Sequence, residues 1–279
     1  MERPLADTRS TRMGKVFKTV GMLVWVLALA AITFILLSWY AISQKDGFDT
    51  YDWSDNWSDL DKAARKGADC KPIVKVHRKF GDLSAWIWTV PKSCEQGLPH
   101  TRAIDVIAIP LGFPEKKLPE VLEHEKIHLL QRQMPETWER FYRIAWNYEL
   151  YTAPPVGMPL ELTDFIRANP DTAHKPWARW LGRWWSVPVY PSSKNLSLSG
   201  SPVLWWDERD RVIRNTPPED WIRFFGPGVH QLEHPHEITA EYLAGPLHEG
   251  KMPAAAPDAM IRLRNAWSET SQFPSLEGE

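Results

Sequence analysis

Residues 124–128 of this 279-residue chain read His-Glu-Lys-Ile-His, a pattern that suits metal-dependent hydrolysis. Positions i and i+4 of a helix share a face, so His124 and His128 can bind one metal ion. With a third protein ligand they would hold Zn²⁺ with an open position, and the ion would lower the pKa of a water to about 7. Glu125 lies one position along and could act as general base and then general acid. The alternative is a pair of solvated surface histidines.

The elements that must position this motif are predicted from periodicity. Alternating apolar and polar residues predict strands at 71–80 and 84–91, and a more apolar run predicts a third strand at 103–110. Pro119 then opens a helix over 119–133 that contains the motif. Further helices are predicted at 135–151, 163–168, 218–225, 236–244 and 257–267, with a hairpin within 201–216 and a connector over 170–200. Strands first and helices later predict an α+β fold.

The motif and its surroundings resemble the zincin metallopeptidases. In that family an edge strand precedes the active-site helix and binds the substrate backbone by strand addition, and 103–110 followed by the motif resembles this arrangement. Lys126 departs from the family pattern, which prefers an uncharged residue there. The apolar positions around the motif match the family at Val121, Leu122, Ile127, Leu129 and Leu130.

A second segment resembles the gluzincin branch of that family. By this resemblance Glu237 is the third zinc ligand, and Glu241, one turn later, is the carboxylate that orients a ligand histidine. The Glu-x-x-Ala-acid pattern and Gln131, three residues after His128, also resemble small gluzincin-like domains. The separation of 109 residues between His128 and Glu237 is long for the branch, so the connector would be an insertion.

Other assignments stay open at this stage. His230, His234 or His236 could replace Glu237 as a ligand or donate a hydrogen bond to a tetrahedral intermediate, and Tyr242 is a further candidate for that catalytic donor. A carboxylate-bridged di-iron site is a rival, since Glu125-x-x-His128 is repeated as Glu233-x-x-His236. Pro235 inside the second pair argues against it.

A run of 23 uncharged residues at 20–42 predicts a transmembrane helix, since as a helix it would extend about 34 Å. A cleaved signal peptide is the alternative, although its apolar part is normally shorter. Five basic residues against two acidic ones precede the run, which places the N-terminus in the cytoplasm and the main domain outside it. The predicted organisation is therefore a tail at 1–18, a membrane anchor at 19–43, a juxtamembrane linker at 44–70 ending in a short helix, a zincin-like domain at 71–270 and a polar tail at 271–279.

Composition and cysteine content limit the function classes further. A net charge of −2 argues against nucleic acid as the main partner. Cys70 and Cys94 flank two predicted strands, and an oxidising compartment would let them form a disulfide. The sequence does not indicate an oligomeric state.

Sixteen tryptophans are present, and four of them cluster between residues 177 and 185 with Arg179 and Arg183. They could form a binding surface, or they could pack the connector onto the core, which is the preferred interpretation. The sequence thus predicts a membrane-anchored, zinc-dependent metallopeptidase that cleaves peptides or proteins outside the cytoplasm. The alternative is an inactive zincin-like binding or assembly module with a tryptophan-rich surface.

Overall fold

A computed structural model describes residues 58–247 and 252–269. These residues form two antiparallel or mixed sheets with helices packed against them, so the α+β prediction is confirmed. No helix in the described ranges is long and apolar enough to cross a membrane. The predicted anchor at 19–43, and the tails at 1–18 and 271–279, lie outside the described residues.

The first sheet has four strands in the order β1-β2-β4-β3. Its strands are β1 (Val74–Phe80), β2 (Leu83–Val90), β3 (His100–Arg102) and β4 (Val106–Pro110). Strand β4 pairs in parallel with β2 and antiparallel with β3. The prediction that 103–110 supplies the edge strand is therefore wrong: β4 is fully buried inside the sheet, and the short β3 forms that edge.

The second sheet has five antiparallel strands in sequential order. Its strands are β5 (Tyr148–Tyr151), β6 (Trp177–Trp180), β7 (Trp184–Pro188), β8 (Val203–Asp207) and β9 (Val212–Arg214). Strands β8 and β9 confirm the predicted hairpin. The predicted connector at 170–200 is wrong in part, because β6 and β7 are inner strands of this sheet.

Helices supply the rest of the core. They are α1 (Asp59–Ala64), α2 (Leu118–Gln133), α3 (Pro135–Phe141), α4 (Leu160–Thr163), α5 (Glu219–Phe225), α6 (Pro235–Ala244) and α7 (Asp258–Glu269). The helix predicted at 135–151 is shorter than expected: α3 passes into a π-helical turn, Tyr142–Trp146, and β5 follows. The helix predicted at 163–168 lies earlier, as α4. Helices α2 and α6 pack directly on each other, which brings the motif and Glu237 together.

The tryptophans of the 177–185 cluster are core residues. Their side chains are buried, so the packing interpretation is confirmed and the cluster does not form a tryptophan-rich surface. The guanidinium of Arg179 lies over the Trp185 ring and that of Arg183 over the Trp184 ring, with separations of 5.6 and 4.7 Å from the ring centroids. The four residues are Trp177, Trp180, Trp184 and Trp185.

The predicted short helix and disulfide are also present. Cys70 and Cys94 are bonded, with their Cα atoms 4.7 Å apart. Helix α1 docks on the domain through Asp61 and Arg65, both buried. Arg65 forms a salt bridge of 2.8 Å with Glu95, which lies next to the disulfide. The end of the predicted linker is thus packed into the domain.

Candidate metal centre

Three predicted ligands converge between helices α2 and α6. His124 and His128 lie one turn apart on α2, with their Nε2 atoms 3.1 Å from each other. Glu237, in the first turn of α6, places Oε2 at 3.3 Å from His124 Nε2 and 3.4 Å from His128 Nε2. The structure therefore brings the three predicted ligands together in a group that could hold a metal ion.

These separations fit a tetrahedral ion. Bonds of about 2.0–2.1 Å at tetrahedral angles separate neighbouring ligand atoms by about 3.3–3.4 Å. The three measured distances lie within a few tenths of an ångström of that value. Two imidazole nitrogens and one carboxylate oxygen form a donor set that suits zinc and other first-row divalent metals.

The orientation of His128 is fixed by Gln131, one turn further along α2. His128 Nδ1 donates to the Gln131 side-chain oxygen at 2.8 Å, which leaves the Nε2 lone pair facing His124 and Glu237. The Gln131 amide nitrogen donates in turn to the Tyr142 hydroxyl at 3.1 Å and to the His236 carbonyl at 3.0 Å. Hydrogen bonds of this kind hold a ligand histidine in one tautomer and one ring orientation.

The second oxygen of Glu237 is held by a loop residue. Asn169 Nδ2 donates to Glu237 Oε1 at 2.8 Å and to Glu233 Oε1 at 2.7 Å. Glu233 also forms a salt bridge with Arg167. Because Asn169 occupies Oε1, Oε2 is the oxygen presented to the histidines.

The local sequence explains why α6 begins where it does. Pro235 occupies the first turn of α6. Backbone N–H groups in the first turn have no acceptor within the helix, so proline, which lacks an N–H, costs no hydrogen bond there. The His234 side chain caps the helix by accepting the His236 backbone N–H at 3.2 Å. Glu237 is thereby placed in the first turn, beside the helix N-terminus that favours a negative charge.

The pKa values of His128 and Glu237 are shifted by their mutual interaction. Burial lowers the pKa of His128, but the carboxylates of Glu237 and Asp171 outweigh burial and raise it to about 10. Burial raises the pKa of Glu237, but the two histidines hold it well below its usual value. The group therefore carries a carboxylate that would offset the charge of a cation.

Glu125 lies beside these three ligands. It is buried, and its Oε2 atom has no hydrogen-bond partner among the described residues. Burial, reinforced by the nearby Asp171 carboxylate, raises the pKa of Glu125 well above its usual value. A buried carboxyl oxygen that is held next to a metal site and has no partner can receive a proton from a water molecule.

The site opens into a cavity of about 800 Å³. His124, Glu125 and Glu237 line this cavity, so two of the three ligands and the adjacent acid face the space that a substrate would enter. His230 also lines it. The apolar part of the wall includes Leu98, Pro99, Phe113, Val121, Leu198 and Leu232.

Two other predicted site residues have different surroundings. The Glu241 carboxylate accepts the backbone N–H groups of His230 and Gln231 at 2.9–3.1 Å, so its contacts order the loop at the cavity wall. The predicted catalytic role of Tyr242 is not supported, because its buried hydroxyl donates to the Phe225 carbonyl. Tyr242 does not line the cavity, because α6 turns this side chain towards the core.

Lys126 and the rival di-iron pattern can also be placed in the structure. Lys126 is buried on another side of α2, where it pairs with Glu123 and lies over the Phe80 ring at 5.9 Å. It therefore stands away from the ligand group. The residues of the rival di-iron pattern do not converge among the described residues, since Glu233 is engaged with Arg167 and Asn169.

Sequence reasoning missed the loop residues Asn169 and Asp171. Asp171 accepts the Thr101 backbone N–H at 2.9 Å and lies in a second group of potential ligand atoms with Glu125 and His128. The available signal was the Asn169-Pro170 dipeptide, which is typical of a turn. Its position in the chain gave no reason to place it beside Glu237.

Searches against protein-family models, curated protein sequences and solved structures found no match to this chain. The assignment of function therefore depends on the chemistry of the site.

Proposed function

We propose that this protein is a zinc-dependent hydrolase of peptide bonds. The observation that carries the proposal is the convergence of His124, His128 and Glu237 at 3.1–3.4 Å beside the buried, unpartnered Glu125 oxygen. Three protein ligands with an open fourth position are typical of catalytic zinc sites, whereas structural sites are closed by four protein ligands.

Each side chain has a defined task in this proposal. A bound zinc ion would supply Lewis acidity, activating a water and polarising the substrate carbonyl. Glu125 would take the proton from the attacking water and deliver it to the leaving amine. Gln131 and Asn169 would keep His128 and Glu237 in position.

His230 takes the role that the sequence suggested for Tyr242. Of the three downstream histidines considered from the sequence, His230 is the one that lines the cavity. Its backbone is anchored by Glu241, which fixes the loop. We assign His230 as a hydrogen-bond donor to the developing oxyanion.

The proposal places the reaction outside the cytoplasm. The disulfide between Cys70 and Cys94 fits an oxidising compartment. The apolar run at 20–42 and the basic residues before it would anchor the chain with the domain on that side.

The test is zinc content and peptide cleavage of the full chain against Glu125→Gln. We expect both proteins to bind about one zinc ion, and the variant to lose cleavage by a factor of about 10²–10⁴. Glu136→Gln, which changes an exposed acid on α3, is the matched control and should cleave normally. Equal and negligible cleavage by all three proteins, with zinc bound, would leave a metal-binding module that is not a peptidase.

A further inference from the structure

The outer edge of β3 is already capped by side chains. Thr101 donates its backbone N–H to Asp171 Oδ1 at 2.9 Å, and its hydroxyl contacts the same oxygen. Arg132 donates to the carbonyls of Thr101 at 3.4 Å and Ala103 at 2.7 Å. The Thr101 N–H and C=O and the Ala103 C=O, which an added strand would use, are therefore occupied.

The capping segment, residues 168–171, is fixed on several sides, and we call it the strap. Asn169 binds Glu237 and Glu233, and the Pro170 carbonyl accepts from Arg132 at 2.8 Å. The backbone of Ala168 is held by Asp61 and Arg65 of the α1 region, at 3.0 and 2.9 Å. The strap is therefore anchored to the first sheet, to α2 and to the ligand Glu237.

The strap separates the cavity from the edge of the sheet. Asn169, Pro170 and Asp171 line the cavity together with His100 of β3, whereas Thr101, whose backbone N–H and C=O the strap and Arg132 engage, does not. A peptide in the cavity would thus meet strap side chains rather than the backbone N–H and C=O of Thr101. Recognition by strand addition requires unpaired N–H and C=O groups along an edge.

We propose that the strap takes the place of a substrate strand and restricts the enzyme to short peptides or chain termini. This inference rests on the proposed hydrolase function. A cavity of about 800 Å³ has the size of pockets that enclose a small molecule, which corresponds to a few amino-acid residues. The cavity would therefore select substrates by length, accepting short peptides or chain termini and excluding extended polypeptides.

The first test compares peptides that share one scissile bond but increase in length from about four to about 20 residues, a range chosen from the cavity size. For the wild-type full chain we expect kcat/KM to fall at least about tenfold across the series. Asp171→Ala removes the cap on Thr101 and should raise the ratio of long-peptide to short-peptide cleavage. Asp171→Asn keeps an oxygen that can accept the Thr101 N–H and should retain the wild-type ratio. A flat or rising length dependence in the wild type would overturn the proposal.

A second measurement does not depend on catalysis. Hydrogen exchange at the Thr101 amide of the zinc-loaded, peptide-free protein should be slow, and Asp171→Ala should accelerate it at least about tenfold while Asp171→Asn does not. Fast exchange in the wild type would show that the edge is open and would overturn the strap. Slow exchange in a protein that cleaves no peptide of any length would instead retain the strap and reject the hydrolase.

Discussion

Two clusters of buried and half-buried side chains flank the start of α6, and only one of them is arranged to hold a metal ion. The first consists of His124, His128 and Glu237, whose ligand atoms converge at the cavity. The second consists of three histidines in ring contact: His174 stacks on His236 with ring centroids 5.5 Å apart, and His234 meets His236 edge-on with centroids 4.7 Å apart. None of these three lines the cavity.

The two clusters differ in how strongly nearby carboxylates act on their histidines. Burial lowers the pKa of His128, but the carboxylates of Glu237 and Asp171 outweigh it and raise that pKa to about 10, whereas burial lowers the pKa of His234 to about 3 and that of His236 well below its usual value. Both ring nitrogens of His236 lack partners among the described residues, and His234 is used to cap α6. Proximity of histidines is therefore not sufficient for a metal site, which also needs converging lone pairs and a compensating charge.

The largest expected effect is the loss of zinc from the first cluster. His128→Ala removes a ligand, so we expect zinc to fall from about one per chain to below about 0.1 and cleavage to disappear. Metal analysis of the purified full chain measures this. Retention of stoichiometric zinc would show that the ion binds elsewhere.

Loss of the proposed oxyanion donor should affect turnover and leave the metal in place. His230→Ala should lower kcat by about 10²–10³ with zinc content unchanged. Steady-state kinetics and metal analysis on the same preparation separate the two effects. A normal kcat would remove His230 from the mechanism.

The loop residue behind Glu237 should tune the affinity of the first cluster. Asn169→Ala frees Glu237 Oε1, so we expect zinc affinity to fall about 10–100-fold. Competition with a chelator of known affinity measures the change. Asn195→Ala, at an exposed asparagine in a turn, is the control and should bind zinc as the wild type does; equal affinities for both variants would show that Asn169 does not position the ligand.

Substitution in the second cluster should leave zinc binding unchanged, in contrast to substitution in the first. His236→Phe keeps an aromatic ring beside Tyr142, removes two buried nitrogens without partners, and should leave zinc at about one per chain with an unchanged or raised Tm. Thermal unfolding and metal analysis check this. If the variant lost zinc while remaining folded, the distinction between the clusters would be wrong.

The pH dependence of stability gives the smallest effect. The pKa of His236 is lower in the folded protein than in the unfolded chain, so the unfolded chain binds more protons below about pH 6.5. The free energy of unfolding therefore falls as the pH drops below that value, by up to about 1.4 kcal/mol per pH unit for one histidine. His236→Phe should reduce this slope between about pH 6.5 and pH 5. Denaturant unfolding of the metal-free protein at several pH values provides the measurement, and an unchanged slope would contradict the assigned pKa direction.

The sequence predicted the parts of the site that local spacing encodes. His124, Glu125 and His128 follow from the helical repeat, and Glu237 followed from the resemblance to gluzincins. Asn169 and Asp171 could not be predicted, because they reach the site only when α6 and the first sheet pack around their loop. Their hydrogen bonds depend on tertiary structure and leave no periodic trace in the sequence.

The errors in the fold have similar physical causes. The inner strands β6 and β7 are buried on both faces, so they lack the alternation that identifies a half-exposed strand. The run at 135–151 has a helical pattern, yet Asn147 adopts a left-handed conformation with φ of 56° and ends the helical segment before β5. Asparagine tolerates this conformation better than most residues, but the pattern alone did not reveal that it would be used.

X-ray absorption at the zinc edge of the purified full chain tests the central claim most directly. The proposed function predicts about one zinc ion per chain with only nitrogen and oxygen ligands at about 2.0–2.1 Å, including two imidazoles, and loss of this signal in His128→Ala. A wild-type protein that binds no stoichiometric zinc, or a spectrum that His128→Ala leaves unchanged, would contradict the metal centre.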